Sequence, residues 1–166
     1  MNYCGDLATN ALNCTLLRSF YSLYLLVKFE EDMKILIEET RVARLATVDM
    51  VQPHLVPVVF VFADERFFIP LDEKSKSVRS DELRRVKNIR RNPKVALLID
   101  KYEEDWTKLF FLMVQGSASI IGKGHIQLLT KVHKLLFAKY HQYKKVGIGE
   151  SCIMIEPTKV IYWKNE

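Results

Sequence analysis

Between Val42 and Leu71 the chain fits three strand-like segments into about thirty residues, which leaves little freedom in how it can fold. Val42 to Val48 (VARLATV) alternates apolar and polar positions and is rich in β-branched residues, the mark of a strand. Asp49 to Pro53 (DMVQP) reads as a turn, without the glycine a tight hairpin usually takes. His54 to Phe62 (HLVPVVFVF) is almost continuously apolar and predicts one strand buried on both faces. Pro57 within it removes a ladder N–H and so asks for an edge position or a bulge. Ala63 to Arg66 turns the chain, and Phe67 to Leu71 (FFIPL) returns as a third strand. Parallel neighbours need crossovers of a dozen residues or more, so turns this short predict an antiparallel meander.

Helical spacing frames this meander. Glu30 to Thr40 sets Met33, Ile35, Leu36 and Ile37 among acidic residues, as an amphipathic helix does. Ser77 to Arg91 carries Val78, Leu83, Val86 and Ile89 as an apolar stripe, with Pro93 closing the helix. Lys94 to Asp100 (KVALLID) predicts a fourth strand. Lys108 to Ile121 predicts a long fifth, bent or bulged at Gly116. Ile126 to Tyr143 reads as a further helix and Ile153 to Trp163 as the last strand. Six strands, two or three helices and no repeat predict an α+β domain. Its core would be a closed or split antiparallel barrel with the helices outside.

Residues 1–28 stand apart from that pattern. The apolar run at 16–27 has about a dozen residues and contains Arg18, too short for a span of roughly 20. The residues before it are polar and include Asp6, unlike the basic lead of a secretory signal. We expect an N-terminal extension, helical and packed on the domain or on a second subunit, with a non-native or poorly ordered extension as the alternative. Residues 29–166 form the expected domain. Hydrophobic residues make up 49% and charged residues 27%, as in a globular protein. Cys4, Cys14 and Cys152 show no pairing or CxxC pattern, so no disulfide framework or zinc site is expected, and a reducing, cytoplasmic setting fits. No metal site and no membrane association are expected.

The net charge of +5 is concentrated in one place. Nine basic residues lie between Lys74 and Lys94, opposed only by Asp81 and Glu82. A focused patch suits a small or local anionic partner better than a long polyanion. PLDEKSKS, residues 70–77, brings Lys74, Lys76 and the hydroxyls of Ser75 and Ser77 to a predicted strand-to-helix junction. Helix-end amides and lysines together favour a phosphate there, although a merely basic, solvated loop would read the same way. Neither GxGxxG nor GxxxxGK[ST] occurs, and no nucleophile elbow appears; Ser117 and Ser119 read as strand residues. The four histidines are scattered, with His133 and His141 on a helix face.

Four stretches in this order, RLATVDMVQPHLVPVVFVF, FFIPLDEKSKSV, NIRRNPKVALLID and EEDWTKLFFLMVQGSASI, resemble the pyridoxamine 5'-phosphate oxidase-related split-barrel proteins. Within that group they look most like the flavin- or deazaflavin-dependent branch. The resemblance spans roughly residues 29–163. It implies a six-stranded antiparallel split β-barrel with flanking helices, a homodimer, and FMN or coenzyme F420 in the groove between subunits. By the same resemblance Lys74, Ser75 and Lys76 would grip the cofactor phosphate. Ala46, Thr47, Pro57, Val58 and Val59 would border its ring system, and Asp105 with Trp106 would match the family's Asp-Trp pair, Trp106 lying near the groove.

Two departures narrow that expectation. The second strand lacks the basic residues with which the oxidases read the FMN phosphate; His54 is its only polar candidate. The C-terminal YWKNE carries no Arg- and His-bearing segment, so oxidation of vitamin B6 is not expected. The resulting expectation is an oxidoreductase that binds F420, with FMN as the alternative, and moves hydride to or from a small-molecule substrate. No catalytic residue is identifiable, since Tyr102, Tyr140 and His141 all read as structural or exposed. Two rival readings are a nucleic-acid-binding barrel and a non-catalytic cofactor or haem carrier. The first is disfavoured because the aromatics cluster in apolar strands instead of interleaving with the basic residues.

Overall fold

The computed structural model describes residues 27–71 and 82–165. Helix α1 (Glu31–Glu39) leads into strand β1 (Ala43–Val48), whose alternation buries Ala43, Leu45 and Thr47 and turns Arg44, Ala46 and Val48 outward. A turn follows, and strand β2 (Pro53–Val58) returns antiparallel to β1, pairing Ala46 with Leu55 and Arg44 with Pro57. The missing glycine is made good by Asp49, whose carboxylate accepts from the Val51 and Gln52 amides at 2.9 and 3.0 Å. Those two N–H groups, and then the Arg84 guanidinium, hold the Asp49 carboxyl below its usual range.

His54 to Phe62 is not one strand. It divides into β2 and a short β3 (Val61–Ala63), which lie at opposite ends of a seven-stranded sheet ordered β2-β1-β5-β6-β7-β4-β3. The expected six strands thus become seven. β2 is not buried on both faces either: it is an edge strand with Pro53, Leu55 and Pro57 exposed, which is how Pro57 is tolerated. The break lies at Val59 and Phe60, where the backbone has no strand partner. Tyr140 supplies one. Its hydroxyl accepts from the Phe60 amide at 3.1 Å, and its single proton is shared between the Phe60 and Arg41 carbonyls, each 2.8 Å away.

Strand β4 (Arg66–Pro70) completes a hairpin with β3 through Asp64 and Glu65, both at positive φ. Glu65 earns its place there by accepting from the Phe29 amide and pairing with Lys34 at 3.0 Å. Helix α2 (Arg84–Arg91) begins later than Ser77: Leu83 is its extended cap, and residues 77–81 lie outside the described residues. Strand β5 (Lys94–Lys101) and the long β6 (Phe110–Ile121) follow, separated by a single helical turn at Trp106–Lys108. Helix α3 (Ile126–Lys139) stops at Tyr140, short of the expected end, and a one-turn α4 (Tyr143–Val146) precedes β7 (Cys152–Lys164). The pairing of β6 with β7 slips between Gln115 and Gly116, the bulge expected at this glycine. A Cβ on Gly116 would stand 2.5 Å from the Glu156 carbonyl oxygen, so the close strand approach needs its absence.

The curled sheet encloses one core, built on Leu45, Phe60, Phe67, Leu97, Ile99 and Leu112. A second lies between α3 and the β3–β4–β7 end, where Leu129, Val132 and Leu136 meet Val61, Phe68 and Cys152. The outer face of β2, β1, β5, β6 and β7 stays open. One cross-strand row there runs Pro57, Arg44, Leu98, Met113 and Ile161, with Leu55 64% and Trp163 41% exposed nearby. No helix among the described residues is long and apolar enough to cross a membrane.

Candidate functional site

One end of this open face carries a groove of about 640 Å³. Register builds its floor: Ala46 on β1 lies opposite Ala96 on β5, which lies opposite Gln115 on β6. Two neighbouring methyl side chains leave a flat, apolar floor that a larger residue would fill. Polar residues line it, with Gln115 and Ser117 on β6, Thr158 on β7 and Lys94 at the start of β5. Helix α2 packs against β1 and β6.

The attachment of α2 is polar and specific. Asn88, 3% exposed, donates through Nδ2 to the Thr47 hydroxyl at 3.1 Å, while that hydroxyl lies 3.5 Å from the His54 carbonyl. Val86 and Ile89 bury the apolar side of the helix. Arg84, Lys87, Arg90 and Arg91 are left exposed. The cationic surface is therefore held to the same strand that supplies the groove floor, with Arg84 3.7 Å from Asp49.

The expected site residues divide accordingly. Ala46 and Thr47 line the groove together, Thr47 with its hydroxyl engaged by Asn88. Pro57 shares the open face but pairs with Arg44, in the next row. Val58 is buried in the first core and Val59 packs against the second, so neither lines the groove. Trp106, 72% exposed, sits on the turn before β6, where its carbonyl accepts from the Asn165 side chain at 2.8 Å. Lys74, Ser75 and Lys76 lie outside the described residues. Ala96, Gln115, Ser117 and Thr158 are not among the expected site residues, Ser117 reading in the sequence as a strand residue only. Only the register, which sets Ala96 beside Ala46 and Ser117 beside Lys94, reveals them.

The donor set suits a planar amphipathic anion better than a metal. Among the described residues no three His, Cys, Asp or Glu side chains come together as a ligand group. A small-residue floor accepts a ring, amide and hydroxyl groups offer directional hydrogen bonds, and Lys94 with α2 supplies positive charge.

Comparison with known proteins agrees in shape and family. The sequence profile described as Pyridoxamine 5'-phosphate oxidase matches residues 29–164. A conserved hypothetical protein from Mycobacterium tuberculosis has a similar structure, with a TM-score of 0.65 at 19% identity, over 86% of this chain and 89% of that one. The haem storage protein HutZ from Vibrio cholerae gives 0.61 at 17% identity, covering 81% of this chain and 94% of its own. An FAD-binding protein from Mesorhizobium loti gives 0.57 at 17% identity, covering 80% and 92%. At these identities the likeness is one of fold. No curated protein matches the sequence.

Proposed function

The chain belongs to the pyridoxamine 5'-phosphate oxidase family, and we propose that it is an oxidoreductase whose groove holds a phosphorylated redox cofactor at the interface of a homodimer. Coenzyme F420 is the preferred cofactor and FMN the alternative. The observation that carries this reading is the Ala46–Ala96 floor beside Lys94 and the basic helix α2. Ala46 and Ala96 would lie under the ring system, and Gln115, Ser117 and Thr158 would hydrogen-bond its polar edge. Lys94, with Lys74 and Lys76, would neutralise the phosphate, and the Ser75 hydroxyl would hydrogen-bond it. When bound, such a cofactor supplies two-electron hydride chemistry. The chain's own part is to orient and shield it, since the groove offers an amide, hydroxyls and an ammonium but no carboxylic acid. A small-molecule substrate would approach the open side.

A haem-carrying role is the second reading, favoured by the fold shared with a haem storage protein. The absorbance spectrum of the purified protein separates the two, by a deazaflavin or flavin band against a Soret band. Lys76→Ala should weaken F420 binding by roughly tenfold to a hundredfold, in keeping with about 1.5–3 kcal/mol for a charge-assisted contact. Arg91→Ala should cost less. Unchanged affinity in both Lys74→Ala and Lys76→Ala would sink the phosphate assignment, and submicromolar FMN binding without any F420 binding would reverse the choice of cofactor.

A further inference from the structure

A second cavity, of about 270 Å³, opens between α1 and α3 and shares no lining residue with the groove. Ile37, Val61, Phe62 and Leu135 make its apolar walls, Glu38 lines it as well, and Lys139 is its only amine. Lys139 is the last residue of α3, and its position is defined by three contacts. Its Nζ donates to the Ile37 carbonyl at 3.0 Å, lies 4.2 Å from the centre of the Phe60 ring and 5.8 Å from that of Tyr140. No carboxylate among the described residues comes within ion-pair distance of it. Its neighbours on α1, after α1 and just after α3 are Glu38, Arg41 and Tyr140, while β3 contributes only Val61 and Phe62.

A partly buried amine with no ion pair, bordering a largely apolar cavity, can serve as a nucleophile once it gives up its proton. We infer that Lys139 is the reactive amine of a small-molecule site between α1 and α3, forming an imine with aldehydes that carry an apolar tail. The amine lone pair attacks the aldehyde carbon, a C–N bond forms, and the carbonyl oxygen leaves as water with both amine protons. The tail would rest against Ile37, Phe62 and Leu135. Burial, and then the charge of Arg41, brings the ammonium down from 10.5 to about 8 against the opposing pull of Glu38, so a sizeable share is nucleophilic near neutrality. Nothing in this inference depends on the cofactor groove.

The test is reductive labelling of the intact protein with hexanal or formaldehyde and cyanoborohydride at pH 7.5, read by peptide mass mapping. Lys139 should be modified by hexanal at least about tenfold faster than the exposed Lys134 on the same helix. Relative to Lys134, it should favour hexanal over formaldehyde. Ala138→Phe, a substitution at an exposed helix position that lines the cavity, should remove that preference while leaving formaldehyde labelling intact. Equal rates at Lys139 and Lys134, or a hexanal preference that survives Ala138→Phe, would overturn the inference.

Discussion

Cys152 and Lys139 show what burial does to single ionisable residues. The Cys152 thiol lies under α3, and burial pushes it up to about 12. A thiol is nucleophilic only as its thiolate, so Cys152 should resist iodoacetamide at pH 8 in the native protein and react once the chain is denatured. Rapid native alkylation of its peptide would contradict this. The two residues also pull stability in opposite directions with pH. Unfolded, Lys139 keeps its proton to about 10.5, whereas folded it releases it near 8. Between these values the unfolded chain binds more protons, so the Lys139 contribution to stability rises with pH. For Cys152 the folded thiol keeps its proton from 9.0 up to about 12, and its contribution falls as pH climbs through that window. Urea titrations at pH 8 and pH 10 should therefore show Lys139→Gln losing the upward component, leaving a steeper decline than wild type. Neither shift was visible in the sequence, where Lys139 is one of several helix lysines and Cys152 a cysteine without a motif.

At the scale of elements, two positions tie strands together. Gly116→Ala would force a Cβ to within 2.5 Å of the Glu156 carbonyl oxygen, and backbone must give way. We expect a loss of about 1–3 kcal/mol in urea unfolding, the usual cost of overpacking; a loss below a few tenths would mean the bulge relaxes freely. Tyr140→Phe leaves the buried Phe60 amide without its acceptor at the β2–β3 break, also worth about 1–3 kcal/mol. Amide exchange at Phe60 should quicken in that variant, and exchange as slow as in wild type would show that another group holds the break. Gly116 was legible because a glycine inside a long strand pattern has few structural uses. The break was not. Val58, Phe60 and Val61 are all buried, so the residues look the same whether one strand continues or two strands enter different cores.

The whole molecule presents a sheet face whose apolar rows are half-buried at most positions and open at Leu55 and Trp163. If that face is the homodimer interface proposed above, Leu55→Glu should shift light scattering from twice 19.4 kDa toward the single-chain mass. Cofactor affinity should fall with it. A variant that stays dimeric with unchanged affinity would place the interface elsewhere. Local patterning was enough to specify the α+β class, the antiparallel strands, the edge demand of Pro57 and the bulge at Gly116, because each depends on a residue and its near neighbours. It could not assign β2 and β3 to opposite ends of the sheet, since β3 reaches the far end through β4 and its pairing with the distant β7, and the break between them is held by Tyr140, 80 residues from Phe60. The groove is of the same kind. Ala46, Ala96, Gln115 and Thr158 come from four strands, and only their tertiary register makes neighbours of residues that share no motif.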